Sequence, residues 1–402
     1  MVCASWSAGT TPHGGDAVQR RFLLSLGLGL LCWCLPPGSG TTRASPVAAP
    51  ASLTPTMALM REALQHALHL RFTPALETTM RLEQQTPYAL EAQLVRGIIA
   101  YLQARWQIHP APTVQTSGQK VLSALLKEGR RQLARSPREP RLQLILGIAA
   151  IFHELLQQQS GASADFGLLM QARTWLQQAL MAHGTMPDAH LGLGLLYFTG
   201  PARPTLWPRF GGGTGNDNST ETIYHLRRAA EAGYFSAEVA QTFLVRVYEV
   251  EKRYQEAITL GQALQAMFPS NGYYALVIGR SQYAQGQYTP CATTLGTLAA
   301  ALQAAAVPSM SRDDRFEVYY FWGRALYETT QDAPAFEALR QAINQDPGSV
   351  KDASLWAKYY LGILYERRGA TTTARQLYQT LLRGRNVENL HEQVAQRLAP
   401  LQ

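Results

Sequence analysis

Several residue groups in this chain have the types that do chemistry, and their spacing decides what each can do. His153-Glu154-Leu155-Leu156-Gln157 is one residue away from the H-E-x-x-H zinc helix. That site needs two imidazoles one helical turn apart, and Gln157 stands where the second belongs, so His153 reads as an ordinary surface histidine. His66 and His69 share a helical face at i, i+3, but no third ligand lies near them in the sequence. Gly211–Gly215 has the glycine content of a phosphate cradle without the lysine and the preceding strand of a P-loop. Asn216, Asp217 and Asn218 lack the D-x-[DN]-x-[DN]-G spacing of a calcium loop and read instead as the cap of a helix starting near Ser219. There is no G-x-S-x-G elbow, and Cys291 falls at a packing position rather than beside a base. These residues predict no catalytic centre, no cofactor and no metal.

The elements that carry such residues must come from 402 residues, 46% hydrophobic and 16% charged, enough for a large core. Glycine at 32 without a triplet period and cysteine at 4 exclude a collagenous chain and a disulfide framework. The formal charge is +8; Arg20, Arg21 and Arg43 against Asp16 place +2 in residues 1–44 and leave +6 for the rest. That is a mild bias toward acidic partners, short of the concentrated stripe that nucleic acid demands. Lys120, Lys127, Arg130, Arg131, Arg135, Arg138 and Arg141 against Glu128 and Glu139 form the densest basic stretch, read as a solvated helix face.

Residues 1–44 have the order of a secretory leader: Arg20-Arg21, an apolar run from Phe22 to Leu35, then Pro36-Pro37 and small residues. Fourteen residues rise about 21 Å as a helix, short of the roughly 30 Å hydrocarbon core, which favours a removable signal over an anchor. The expectation is export to a periplasmic or envelope-associated location. Cys3, Cys32 and Cys34 fall in the leader, so the remainder keeps Cys291 alone and forms no internal disulfide. Residues 45–56, rich in Thr, Ser, Ala and Pro, read as a flexible linker.

From Met57 onward the pattern is helical and repeats. Four segments align: LVRVYEVEKRYQEA (244–257), IGRSQYAQGQYTPC (278–291), WGRALYETTQDAPA (322–335) and LGILYERRGATTTA (361–374). Each starts with a large apolar residue followed by Val245, Gly279, Gly323 or Gly362. A tyrosine comes three or four residues later, and Ala257, Cys291, Ala335 or Ala374 twelve after the small residue. Pro269 and Pro347 follow two of them. This resembles the tetratricopeptide repeat (TPR), a helix–turn–helix unit with small residues where its two helices meet. In that pattern the glycine of helix A faces the alanine of helix B, and Leu244, Trp322 and Leu361 fill the groove between neighbouring pairs.

The resemblance implies an all-α, right-handed α-α superhelix of about eight helix pairs. Irregular repeats run over 57–233 and clearer ones over 238–386, with a capping helix in 387–402. The stretch Thr199–Thr220, with its prolines, glycines, Trp207 and Phe210, interrupts one pair and reads as a structured loop, a possible lid. With its flanks it resembles a group of bacterial exported TPR proteins, and faintly a eukaryotic TPR family linked to the mitochondrial outer membrane.

In TPR folds one stripe of helix A lines the concave groove. Here that stripe is Val239, Thr242, Arg246 and Glu249, then Tyr273, Leu276, Arg280 and Tyr283, then Glu317, Tyr320, Arg324 and Tyr327, and last Trp356, Tyr359, Ile363 and Glu366. Three arginines in register, Arg246, Arg280 and Arg324, surrounded by tyrosines and Trp356, suit the carboxylates of an acidic or C-terminal peptide. The expected function is therefore a non-enzymatic protein-binding scaffold of the bacterial envelope. The alternative is an accessory subunit of a periplasmic solute-binding transport system, which would need an enclosed Trp- and Tyr-lined cavity.

Overall fold

A computed structural model describes residues 54–85, 89–106, 112–182, 186–199, 217–308, 310–346, 348 and 351–401. The leader 1–44, Trp207, Phe210, the 211–215 glycines and Pro347 lie outside the described residues. Every element but a terminal 3₁₀ turn is an α-helix among the described residues. The pairs are α1 (Pro55–Leu68) with α2 (Phe72–Glu83), α3 (Ala89–Trp106) with α4 (Pro112–Arg135), and α5 (Pro140–Gln159) with α6 (Phe166–Met181). They continue with α7 (Ala189–Thr199) and α8 (Asp217–Ala232), α9 (Ala237–Val250) and α10 (Tyr254–Met267), and α11 (Gly272–Ala284) and α12 (Tyr288–Gln303). α13 (Arg312–Glu328) with α14 (Asp332–Asn344), and α15 (Lys351–Arg367) with α16 (Thr371–Leu382), complete the series before α17 (Leu390–Leu398). α1 begins inside the stretch read as linker, because Pro55 suits the first helical position and the Thr54 hydroxyl accepts from Met57 N–H at 3.3 Å. α8 starts at Asp217, ahead of Ser219.

The short turns inside pairs share one device. Leu70, Gly161, Lys252, Gly286, Thr330 and Gly369 all take left-handed backbone angles, with φ from 57° to 80°. In each, the N–H of the following residue reaches back five residues, as Arg253 does to the Tyr248 carbonyl at 2.8 Å and Gln287 to that of Gln282 at 2.9 Å. This closes the exposed carbonyls of helix A and reverses the chain within four residues, except between α5 and α6, where residues 160–165 make the turn. Lys252 and Thr330 hold that geometry despite their side chains.

The small residues do allow close approach, but against a different neighbour. A Cβ on Gly279 would stand 2.4 Å from Leu295, one on Gly323 2.7 Å from Leu339, and one on Gly362 2.6 Å from Tyr378. The glycine thus receives a large side chain from helix B, one turn beyond the alanine position. Ala257, Cys291, Ala335 and Ala374 are fully buried beside it. Large residues also fill the gap between pairs, as Trp322 does over Gly296 and Ile278 over Gly261.

Neighbouring A helices touch each other along the series, whereas the B helices make no comparable contacts with one another. The stack therefore curves with the A helices inside. In the first five pairs this inner side closes on itself: α1 touches α9. Tyr101 of α3, Phe152 of α5 and Phe243 of α9 meet there, with ring centroids 5.5–6.2 Å apart. The Arg61 guanidinium and the Gln65 amide donate to Glu238, and the Asn271 amide donates to the Leu68 carbonyl at 3.1 Å.

Candidate binding face

The three arginines in register land in three environments. Arg246 is partly exposed and pairs with Glu249 one turn away. Arg280 is 5% exposed and reaches Glu249 with Nε at 2.6 Å and Nη2 at 2.8 Å, while Nη1 pairs with Glu317. Burial works against its charge, but Glu249 and Glu317 outweigh that and hold its pKa above the usual arginine value. Arg280 is thus consumed inside the fold and does not present an anion contact to a ligand.

Tyr273 is likewise covered. It is 6% exposed, under Trp106 at 5.9 Å and Arg105 at 5.4 Å, both from the end of α3. Arg105 is in turn bound to Asp314 at 3.1 Å, which raises its pKa against the cost of burial. The expectation of an open groove along the last four pairs fails at α9 and α11, because α1 and α3 fill it. Val239, Thr242, Tyr273 and Leu276 are all buried.

Arg324 is different. Its guanidinium carbon lies 3.8 Å from the Tyr360 ring centroid, 5.4 Å from that of Tyr283 and 5.9 Å from that of Tyr320. Nη1 donates to the Tyr320 hydroxyl at 3.1 Å, and the one carboxylate, Glu328, stands 3.5 Å from Nη2. Nε is buried without an acceptor. Burial opposes the charge, but the electron-rich oxygens and rings of Tyr320, Tyr283 and Tyr360 and the Glu328 carboxylate around it still hold its pKa above the usual arginine value. Burial likewise lifts the Tyr283 and Tyr360 phenols far above their usual range, so both stay neutral.

Around Arg324 the aromatic surface is continuous. Tyr327 meets Tyr360 at 4.9 Å, and Trp356 meets Tyr360 at 6.2 Å and Tyr359 at 5.5 Å. Tyr283, Tyr327, Trp356 and Tyr360 keep partial exposure, whereas Tyr320 and Tyr359 are buried beneath them. The arrangement offers a cation ringed by π-faces, a floor for a carboxylate flanked by apolar side chains. Tyr360 lies outside the stripe Trp356, Tyr359, Ile363 and Glu366. Its signal was the Tyr-Tyr doublet at 273–274, 319–320 and 359–360, which recurs in three successive A helices.

The other chemistry-bearing residues have structural partners. Both nitrogens of His153 are engaged, with Glu154 at 3.0 Å and Ser123 at 3.1 Å, so it is more enclosed than a surface histidine. Glu154 is buried and accepts from the Asp165 N–H at 2.7 Å, holding the turn into α6. The His69 ring packs edge-on to Phe268 at 4.9 Å. Cys291 is fully buried, its thiol pushed up to about 12 by that burial. Among the described residues no group of three or more His, Cys, Asp or Glu side chains could hold a metal, and no helix is long and apolar enough to cross a membrane.

A tetratricopeptide-repeat family model matches residues 356–383, which span the end of this face and α16. Residues 356–383 are a tetratricopeptide repeat. Among solved structures the fold is similar to the Cut9–Hcn1 hetero-tetramer of the APC/C, with 12% identity and a TM-score of 0.54. That match covers 85% of this chain and 55% of the other. Yeast Tom70 also matches, at 10% identity over 86% of this chain and 81% of Tom70, with a TM-score of 0.39. No curated protein sequence matches this chain. The TPR solenoid is a fold typical of protein–protein interaction.

Proposed function

We propose that the protein is a non-catalytic scaffold that binds a partner peptide or helix on the inner face of α11, α13 and α15, through a carboxylate seated on Arg324. The observation that carries this is the partnering of Arg324: π-faces on three sides, a partly exposed side chain and one long ion pair to Glu328 at 3.5 Å, against two close carboxylates on the buried Arg280. An incoming carboxylate gains a charge-assisted bond there without evicting an internal bidentate pair, as it would have to at Arg280. Tyr283, Tyr327, Trp356 and Tyr360 supply the apolar area around that contact, the residue types in which binding energy concentrates.

The order of residues 20–44 supports export to the envelope, where this scaffold would act. The ligand-holding alternative needs an enclosed aromatic cavity. A pocket of about 670 Å³ among the described residues is lined mainly by charged side chains, Arg227, Arg228, Glu231, Glu251 and Arg253, beside Tyr224, not by the Trp and Tyr wall that reading needs. The test is a binding screen of helical and extended peptides ending in a free carboxylate beside their C-terminal amides, against wild type and Arg324→Gln of matched helicity. Preference for the free acid, lost in Arg324→Gln, supports the reading. Equal binding of acid and amide, or no effect of the substitution, contradicts it.

A further inference from the structure

Helix α4 packs between α3 and α5 through Gly118, Leu122, Leu125, Leu126 and Gly129, all buried. Its other side is exposed along most of a 24-residue helix. Arginine elsewhere in this chain is largely matched to acid, as Arg96 is to Glu83, Arg141 to Glu91, Arg367 to Asp332 and Arg253 to Glu256. On α4 the matching stops. Arg130 leans on Trp175 and Gln171, and Arg131 takes Glu128 at 2.9 Å. Lys120, Lys127, Arg135 and, just past the helix, Arg138 are exposed with no carboxylate within ion-pair distance among the described residues.

At 100° per residue, Lys120, Lys127, Arg131 and Arg135 fall within about 80° of arc, and they extend over about 22 Å of helix. Exposed residues beside and between them are small or polar: Thr116, Ser117, Ala124 and Ala134. A row of like charges repels itself, and Glu128, paired with Arg131, offsets only part of that cost. Because α4 is a B helix, the row lies on the outer side, away from the Arg324 face.

We propose that this row docks the protein on the surface of a membrane bearing anionic lipid headgroups. A plane of phosphates needs nothing but cations in line. A single-stranded nucleic acid site would add aromatic platforms, and a protein interface would add a buried aromatic or aliphatic anchor. Along the row small residues separate the cations, and the ring nearest it, Trp175 of α6, is taken up by the Arg130 guanidinium at 5.6 Å rather than standing as a platform between them. With no large apolar side chain in line, α4 lies on the headgroups and does not insert. The attachment is electrostatic and falls with ionic strength.

The experiment is co-sedimentation of the full chain with phosphatidylcholine vesicles, with and without phosphatidylglycerol, at low and high salt. Neutral vesicles report any apolar binding by residues 22–35. Each cation near an anionic surface is worth about fivefold in partition, so Lys120→Glu/Lys127→Glu/Arg135→Glu should weaken sedimentation with anionic vesicles by more than about tenfold. A control with equal charge change on scattered exposed sites, Arg71→Glu/Lys252→Glu/Arg383→Glu, should change it by less than about threefold. If charge reversal disturbs α4, the triple Gln variant must show the same contrast with helicity retained. Three results overturn the proposal: no preference for anionic vesicles, equal loss in both triples, or vesicles ignored while an oligonucleotide or polyglutamate binds through α4.

Discussion

Glu249, with no exposure of its side chain, serves Arg246 and Arg280 at once, and Arg280 completes its own shell with Glu317. A buried cluster of this kind stabilises only while every charge is answered. Glu249→Gln should therefore lower unfolding free energy by about 3 kcal/mol in urea melts, since Arg280 keeps only Glu317. Arg324→Gln, which breaks one long ion pair and its ring contacts, should cost about 1 kcal/mol. Both carboxylates that claim Arg280 stood on the very stripe that held the arginines, so the sequence already contained its partners. Residue types at one register were legible. Which of them would be answered internally was not, because that depends on how closely successive A helices approach.

Among the elements, the four-residue turns were legible as turns, but their left-handed residue was not, since glycine marks it at 286 and 369 and Lys252 and Thr330 hide it. A β-branched side chain at φ 57° is strained. Thr330→Gly should raise the melting temperature, with a gain of about 1 kcal/mol, and calorimetry checks it. The joint between α7 and α8 carries a pH dependence. His190 and His225 face each other with Nδ1 atoms 2.6 Å apart, and Tyr197 stacks on His225. Burial, then His190, lowers the His225 pKa to about 4, and burial lowers that of His190. The unfolded chain therefore binds more protons than the fold below pH about 6.5, so this stability is present above that pH and is lost as pH falls toward about 4. The loss should be on the order of 2 kcal/mol for this partly buried ring. Asp188, whose pKa burial raises, contributes with opposite sign, so the difference between wild type and His225→Phe isolates the histidine. A melting temperature that falls equally in both would contradict the assignment.

Over the whole repeat series, helix pairs were legible from small residues at fixed spacing, and the curvature with A helices inside follows from their stacking. What escaped was the return of the chain on itself. Arg61 meets Glu238 across 177 residues and Arg105 meets Asp314 across 209. Such contacts arise from rotation accumulated over several irregular pairs, which no local spacing encodes. The closure shifts the proposed binding face: α1 and α3 occupy the inner side of α9 and much of α11, and the exposed aromatic surface begins at Tyr283. Charge follows the same division, with the Arg324 face inside and the unmatched cations of α4 outside.

Hydrogen exchange of the full chain, with and without a bound carboxylate-terminated peptide, tests the location of that face most directly. Slowed exchange confined to α11, α13 and α15, centred on residues 320–328 and 356–363, is the predicted result. Protection on α9 or α1 instead, or on the outer B helices with α13 unchanged, would contradict it.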